Sequence, residues 1–230
     1  MLIADPRLRN TIGYPKSVFA FDAVLRGKIL IARLPQGRLG LQKTRMLGAL
    51  LLARIDAAAL ARTTRTSFHI YIDECHHFAT ATPIEMLSGI RKFNVSLTLC
   101  HQYVNQLPPR MRDAVLGTVG TKIVFRVGQA DAEALRHDFP VDGLFSSVAD
   151  TPPFGMQIVT PHERVAIDPP PRSGEGKDGF VADIARRTET ARKVRNFSRR
   201  HHTVSRKRVE VRIAARQDEA RTLALLRADG

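Results

Sequence analysis

Phe68-His69-Ile70-Tyr71-Ile72-Asp73-Glu74 is an apolar run that stops on two adjacent carboxylates. A strand buried in a parallel sheet reads this way, because helices cover both of its faces. Acids at its carboxyl end lie at the sheet edge where open α/β folds bind ligands. Two readings start from here. In one, a strand ends in a polar turn. In the other, one acid helps hold a metal ion while its neighbour orients or deprotonates a water.

The flanking sequence supplies more strands, with helices between them. Lys28–Leu34 (KILIARL) is strand-like and is broken by Pro35-Gln36-Gly37. Leu41–Arg62 is rich in Leu, Ala and Arg at helical spacing and predicts a long helix. Pro83–Phe93 predicts a helix with proline in its first turn. Val95–Cys100, Thr121–Val127 and the pair Gly155–Thr160 and Arg164–Ile167 predict further strands. Pro109–Leu116 and Ala130–His137 predict helices between them. Strands alternating with helices argue for a parallel α/β sheet with right-handed crossovers. Asp168–Gly176 (DPPPRSGEG) reads as a linker, since prolines and glycines crowd out regular structure. The expected organisation is therefore an α/β domain over 1–168, a linker over 169–179 and a basic, mostly helical tail over 180–230.

Gly37-Arg38-Leu39-Gly40-Leu41-Gln42-Lys43-Thr44 approaches the pattern of a phosphate-binding loop. The glycine that should precede the lysine is Gln42, whose side chain would crowd a phosphate held by backbone amides. A strand-to-helix turn that needs small residues at Gly37 and Gly40 is the favoured reading.

Charge separates the tail from the rest. The chain carries 36 Lys and Arg against 22 Asp and Glu, a net +14. Between Arg186 and Arg208 stand ten basic residues and one acid, Glu189, so nine of those fourteen charges lie in this stretch. Such a run attracts polyanions or coats a solvated helix. Arg192, Lys193, Arg195, Arg199, Arg200, Arg206, Lys207 and Arg208 are the candidate nucleic-acid contacts. The two cysteines, Cys75 and Cys100, adjoin apolar runs and read as buried, reduced thiols. Cys75-His76-His77 invites a metal reading, but adjacent residues seldom converge on one ion and no second ligand pair is suitably spaced. No metal bound directly by Cys or His is expected. No stretch is long and apolar enough to span a bilayer.

Read together, DECHHF, SGIRKFNVSLTLCHQYVNQLPP and AVLGTVGTKIVFRVGQADAEAL resemble the HerA/FtsK-like P-loop ATPases. The resemblance is greatest to TraG/TraD-type coupling proteins of conjugation and type IV secretion. It runs from about Asp5 to Thr160, and Phe68–Phe139 is its specific part. It implies a RecA-like half-domain with a mostly parallel sheet flanked by helices, and ATP with Mg²⁺ as cofactors. Asp73 would polarise a water on that Mg²⁺. Glu74 would be the general base for the water attacking the γ-phosphate. Gln102 would sense the γ-phosphate, an amide being able both to donate and to accept. Arg91 would reach into a neighbouring subunit's site, where a fork of fixed charge suits phosphate oxygens. Plain alternatives stay open: Gln102 as a strand cap, and Arg91 with Lys92 as a solvated helix end.

The resemblance further implies a homo-oligomeric ring, DNA as the translocated polymer, and relaxosome or type IV secretion components as partners. It also implies a cytoplasmic location, against the inner membrane through that assembly. The family's phosphate-binding loop lies well upstream of the two acids, so the chain reads as the later half of such an ATPase, inactive alone. The alternative is a non-catalytic DNA- or relaxosome-binding module derived from one.

Overall fold

The computed structural model describes residues 5–14, 20–141, 147–167 and 177–228, with backbone alone at 7, 177–185 and 222–228. They form two compact units: Phe21–Ser173, and a second that groups Met1–Ala20 with Gly174–Gly230.

The first unit is mixed α/β. It opens with α2 (Phe21–Leu25), α3 (Gln36–Leu39) and the long α4 (Leu41–Ala61), α1 (Pro6–Ile12) belonging to the other unit. Strand β1 (Phe68–Ile72) follows, then α5 (Ala81–Gly89) and β2 (Val95–Leu99). Strands β1 and β2 pair in parallel, Phe68 opposite Val95 and Ile72 opposite Leu99. The crossover that parallel pairing demands is supplied by α5 and the one-turn helices Cys75–Phe78 and Ile90–Phe93.

Helix α4 is a core element because its buried residues recur at helical spacing: Thr44, Gly48, Leu52, Ile55 and Ala59. Their stripe joins Ile70, Ile72, Met86, Ile90, Val95 and Met111 in the main core. Gly48 is required there, since a Cβ on it would lie 2.1 Å from the Phe78 ring. That contact seats the turn following the two acids directly on α4. Arg62, just past α4 and only 9% exposed, ties three backbone carbonyls together. Its guanidinium donates to Leu25 O at 3.4 Å, to Asn94 O at 3.1 Å and to Phe93 O.

The second core of this unit gathers around β3 (Lys122–Phe125), α7 (Gln129–Ala134) and β4 (Met156–Val159); α6 (Pro109–Thr118) adds Leu116 to it while burying Met111 and Val115 in the main core, and β5 (Arg164–Ile167) is exposed. Strands β3, β4 and β5 form an antiparallel sheet in that order. Val104, Ala132, Leu135, Phe139 and Val148 are buried beside it. The hairpin expected over 155–167 is present.

The structure corrects several expectations. The strands do not form one mostly parallel sheet. Among the described residues the parallel sheet has two strands, and β3 pairs with the local hairpin instead of with β2. The segment 126–155, which carries α7, brings the chain back so that β4 meets β3 antiparallel, and the short turn from β4 to β5 adds the third strand. Lys28–Leu34 is neither strand nor helix. Leu30 packs on the core while Ile29 and Ile31 stand 91% and 71% exposed, and among the described residues no ladder partner satisfies their backbone as a sheet would. Nor is β1 covered on both faces: Ile70 and Ile72 are buried, but Tyr71 is 73% exposed and His69 is bonded to Ser96 on the open side. Cys100 continues that open face and is exposed, whereas Cys75 is buried.

In the second unit, α8 (Lys177–His202) and α9 (Arg206–Ala228) are long helices. Helix α8 begins inside the expected linker, and the remainder of that linker lies outside the described residues. Helix α9 packs on α1 through buried Leu8, Val209 and Ile213. Asn10 donates to Glu210 at 3.3 Å, and Arg212 lies over the Tyr14 ring at 5.8 Å.

Candidate functional site at the strand tips

Parallel pairing puts the carboxyl ends of β1 and β2 side by side, and their last residues lead straight into the site. Cys100 N–H donates to Ile72 O and Cys75 N–H donates to Cys100 O, both at 2.9 Å, so the ladder continues past the acids. Asp73 and Glu74 form the turn between. Asp73 Oδ1 accepts from the Glu74 amide at 3.0 Å, fixing the carboxylate over the strand end.

Glu74 is left-handed, with φ 48° and ψ 48°, a region that costs a non-glycine residue about 1 kcal/mol or more. The twist turns its carboxylate towards β2. There Glu74 Oε1 accepts a hydrogen bond of 2.7 Å from Gln102 Nε2. The other oxygen, Oε2, lies 3.4 Å from His76 Nδ1, a nitrogen that finds no hydrogen-bond partner. Burial, then the neighbouring His77, hold the His76 pKa below its usual value, and the Glu74 charge only partly opposes them. His76 is therefore neutral near pH 7, and the contact is not an ion pair.

Asp73, Glu74 and Gln102 thus share one edge of the sheet. Arg91 does not join them. It is exposed in the one-turn helix that precedes β2, at the opposite end of that strand. A five-residue strand puts it ~16 Å away. Arg192, Lys193, Arg195, Arg199, Arg200, Arg206, Lys207 and Arg208 are all exposed in the other unit. Arg192 grips Glu189 with two bonds of 2.7 Å, and Arg206 reaches Glu210 at 2.7 Å.

The carboxylates of Asp73 and Glu74 are oxygen ligands of the kind that suits Mg²⁺ and its waters, with the Gln102 amide and His76 Nδ1 beside Glu74. Asp73 would hold that ion through water, and the ion would supply charge for phosphate oxygens. Among the described residues the glycine-rich stretch offers the phosphate end no matching cradle. The glycine-rich stretch folds into α3, so the amides of Arg38, Leu39 and Gly40 donate to Pro35 O, Pro35 O and Gln36 O. Gly40, at φ 81°, is the hinge into α4. These N–H groups are spent on local turns and cannot wrap a phosphate, which agrees with the objection raised by Gln42.

Sequence reasoning missed Gln106 and Asp131, and weighed His76 only as a metal ligand beside Cys75 and His77. Gln106 Oε1 accepts from the amides of Gln102 at 2.8 Å and Tyr103 at 3.3 Å, holding the turn that carries Gln102. A polar residue four positions past Gln102 was its only signal. Among the described residues no cluster of three or more His, Cys, Asp or Glu could hold a metal ion, and no helix is long and apolar enough to cross a membrane.

No family model matches the sequence, and no curated protein matches it closely. Among solved structures the chain is similar to VirB4 of Thermoanaerobacter pseudethanolicus, at a TM-score of 0.44 and 16% identity. That match covers 58% of this chain and 39% of the VirB4 chain. A likeness this low decides neither the fold nor the chemistry, which rest on the residues above.

Proposed function

We propose that this chain is the acid-bearing part of a RecA-like, ATP-driven motor of conjugation or type IV secretion, of the TraG/TraD coupling type. The observation that carries the reading is the 2.7 Å bond from Gln102 Nε2 to Glu74 Oε1 at the carboxyl ends of two parallel strands. An amide that donates to the carboxylate orients it, and Glu74 is then poised to take a proton from an attacking water. Asp73 beside it would hold the water shell of Mg²⁺. Arg91, at the far end of β2, would serve the site of a neighbouring copy, which makes a homo-oligomeric ring part of the proposal. DNA is the proposed polymer, with relaxosome or secretion components as partners.

The phosphate cradle would come from a P-loop-bearing partner segment. With such a segment supplied in trans, ATP hydrolysis should appear. Glu74→Gln should then abolish turnover while ATP binding persists. Turnover retained in that variant refutes Glu74 as the base.

A second reading is favoured by a separate observation. From Arg186 onward the basic side chains of α8, and those at the start of α9, stand exposed, and Arg195, Arg199, Arg200, Lys207 and Arg208 have no acidic partner among the described residues. In this reading the chain binds DNA or a relaxosome protein without hydrolysis. Lack of ATPase activity under every pairing, with salt-sensitive DNA binding retained, would select it.

A further inference from the structure

The turn that presents Gln102 is pinned from the second core. Asp131 Oδ1 accepts a hydrogen bond of 3.0 Å from the Val104 amide. Val104 opens the one-turn helix Val104–Gln106, and its side chain is 4% exposed among the second-core residues. Leu107, the next residue after that helix, is buried in the main core instead. The turn therefore bridges the two cores of the α/β unit. The amides of Gln102 and Tyr103 are held by Gln106 Oε1, and that of Val104 by Asp131. Three successive amides are fixed by side-chain oxygens, and Gln102 Nε2 is thereby aimed at Glu74.

We propose that Asp131 is a positioning residue. Its carboxylate, on α7, sets the turn that carries Gln102, so the Gln102–Glu74 contact and the packing of α7 depend on each other. A charged acceptor suits the task, since such bonds are shorter and about twice as strong as neutral ones. Two settings of this turn would couple what happens at the strand tips to α7 and the antiparallel sheet. The assignment of that coupling to a motor rests on the function proposed above. The chain of bonds does not.

The test uses the full chain without nucleotide, so its failure and the failure of the ATPase reading are separate results. The side-chain amide resonance of Gln102 is assigned by its loss in Gln102→Ala, and its unbonded position is taken from Glu74→Ala. In Asp131→Ala that resonance should move to the unbonded position. Hydrogen exchange of the Gln102, Tyr103 and Val104 amides should quicken about tenfold, while the β1 amides keep their rates. Asp131→Asn, which keeps an oxygen acceptor, should restore most of both signals. If the alanine variant fails to fold, Asp131→Glu decides: its longer side chain misplaces the carboxylate and should move the Gln102 resonance too. A Gln102 resonance that stays in place, or exchange that rises equally in β1, overturns the proposal.

Discussion

Replacing Glu74 in turn by glycine and by alanine tests the geometry of the site most directly. Both variants lose the Gln102 and His76 contacts equally, so their difference isolates the backbone. The bonds that hold the turn remain in both: Glu74 N–H to Asp73, Cys75 N–H to Cys100 O, and His77 N–H to Glu74 O. At φ 48° alanine pays the left-handed penalty of roughly 1–2 kcal/mol. Glycine escapes it but loses about 0.4–1 kcal/mol more unfolded-chain entropy. Glycine should therefore be the more stable by about 1 kcal/mol, the reverse of the usual order in regular structure. With a urea m-value of about 2 kcal/mol/M, the midpoints should differ by about 0.5 M. Paired urea melts followed by the signal of the α/β unit read this directly. An alanine variant as stable as the glycine variant, or more so, would refute the left-handed turn and the aim it gives the carboxylate.

Arg62→Met keeps the apolar stem but strips donors from Leu25 O, Phe93 O and Asn94 O, and should cost about 2–3 kcal/mol in urea melts. A loss under about 0.5 kcal/mol would show that the buried guanidinium is not a tie. At pH 8 an alkylating reagent should modify exposed Cys100 and spare Cys75, whose thiol burial pushes up to about 11; equal labelling in the folded protein contradicts the packing. Because that folded pKa lies above the unfolded value of about 8.5, Cys75 favours the folded state below pH ~8.5 and loses this as the pH climbs towards about 11. Cys75→Ala should flatten the fall in the urea midpoint between pH 8 and pH 10, and an unchanged fall assigns it to other groups. Replacing Arg195, Arg199 and Arg200 by alanine should lower the salt slope of duplex-DNA binding by up to about 2.7, at about 0.9 per phosphate lost; an unaltered slope removes α8 from the DNA contact.

The elements were legible in the sequence where they obey a local rule. The period of Leu52, Ile55 and Ala59 made α4 readable to within a residue of its end. The apolar run before Asp73 made β1 readable, and the short segments at 156–167 made the hairpin readable. Pairing partners were not legible, because a strand's ladder depends on what lies beside it in space. Lys28–Leu34 has the composition of a strand and no partner among the described residues, and β3 found a hairpin where a parallel neighbour was expected. Cys100 directly ends an apolar run while Cys75 is separated from one by two acids, yet alternation along β2 turns Cys100 to the open face and Cys75 is the buried one.

The chain's order alone determined that two carboxylates would end a strand, that an amide would end the next, and that the positive charge would collect near the far end. Such choices are written residue by residue, in hydrophobic period and charge. Tertiary structure decided that Gln102 meets Glu74, that Arg91 lies a strand away from both, and that Asp131 reaches across from a separate core to hold the turn. Those relations join residues far apart in the chain, and only the packing of β1, β2 and α7 brings their polar atoms within hydrogen-bond range.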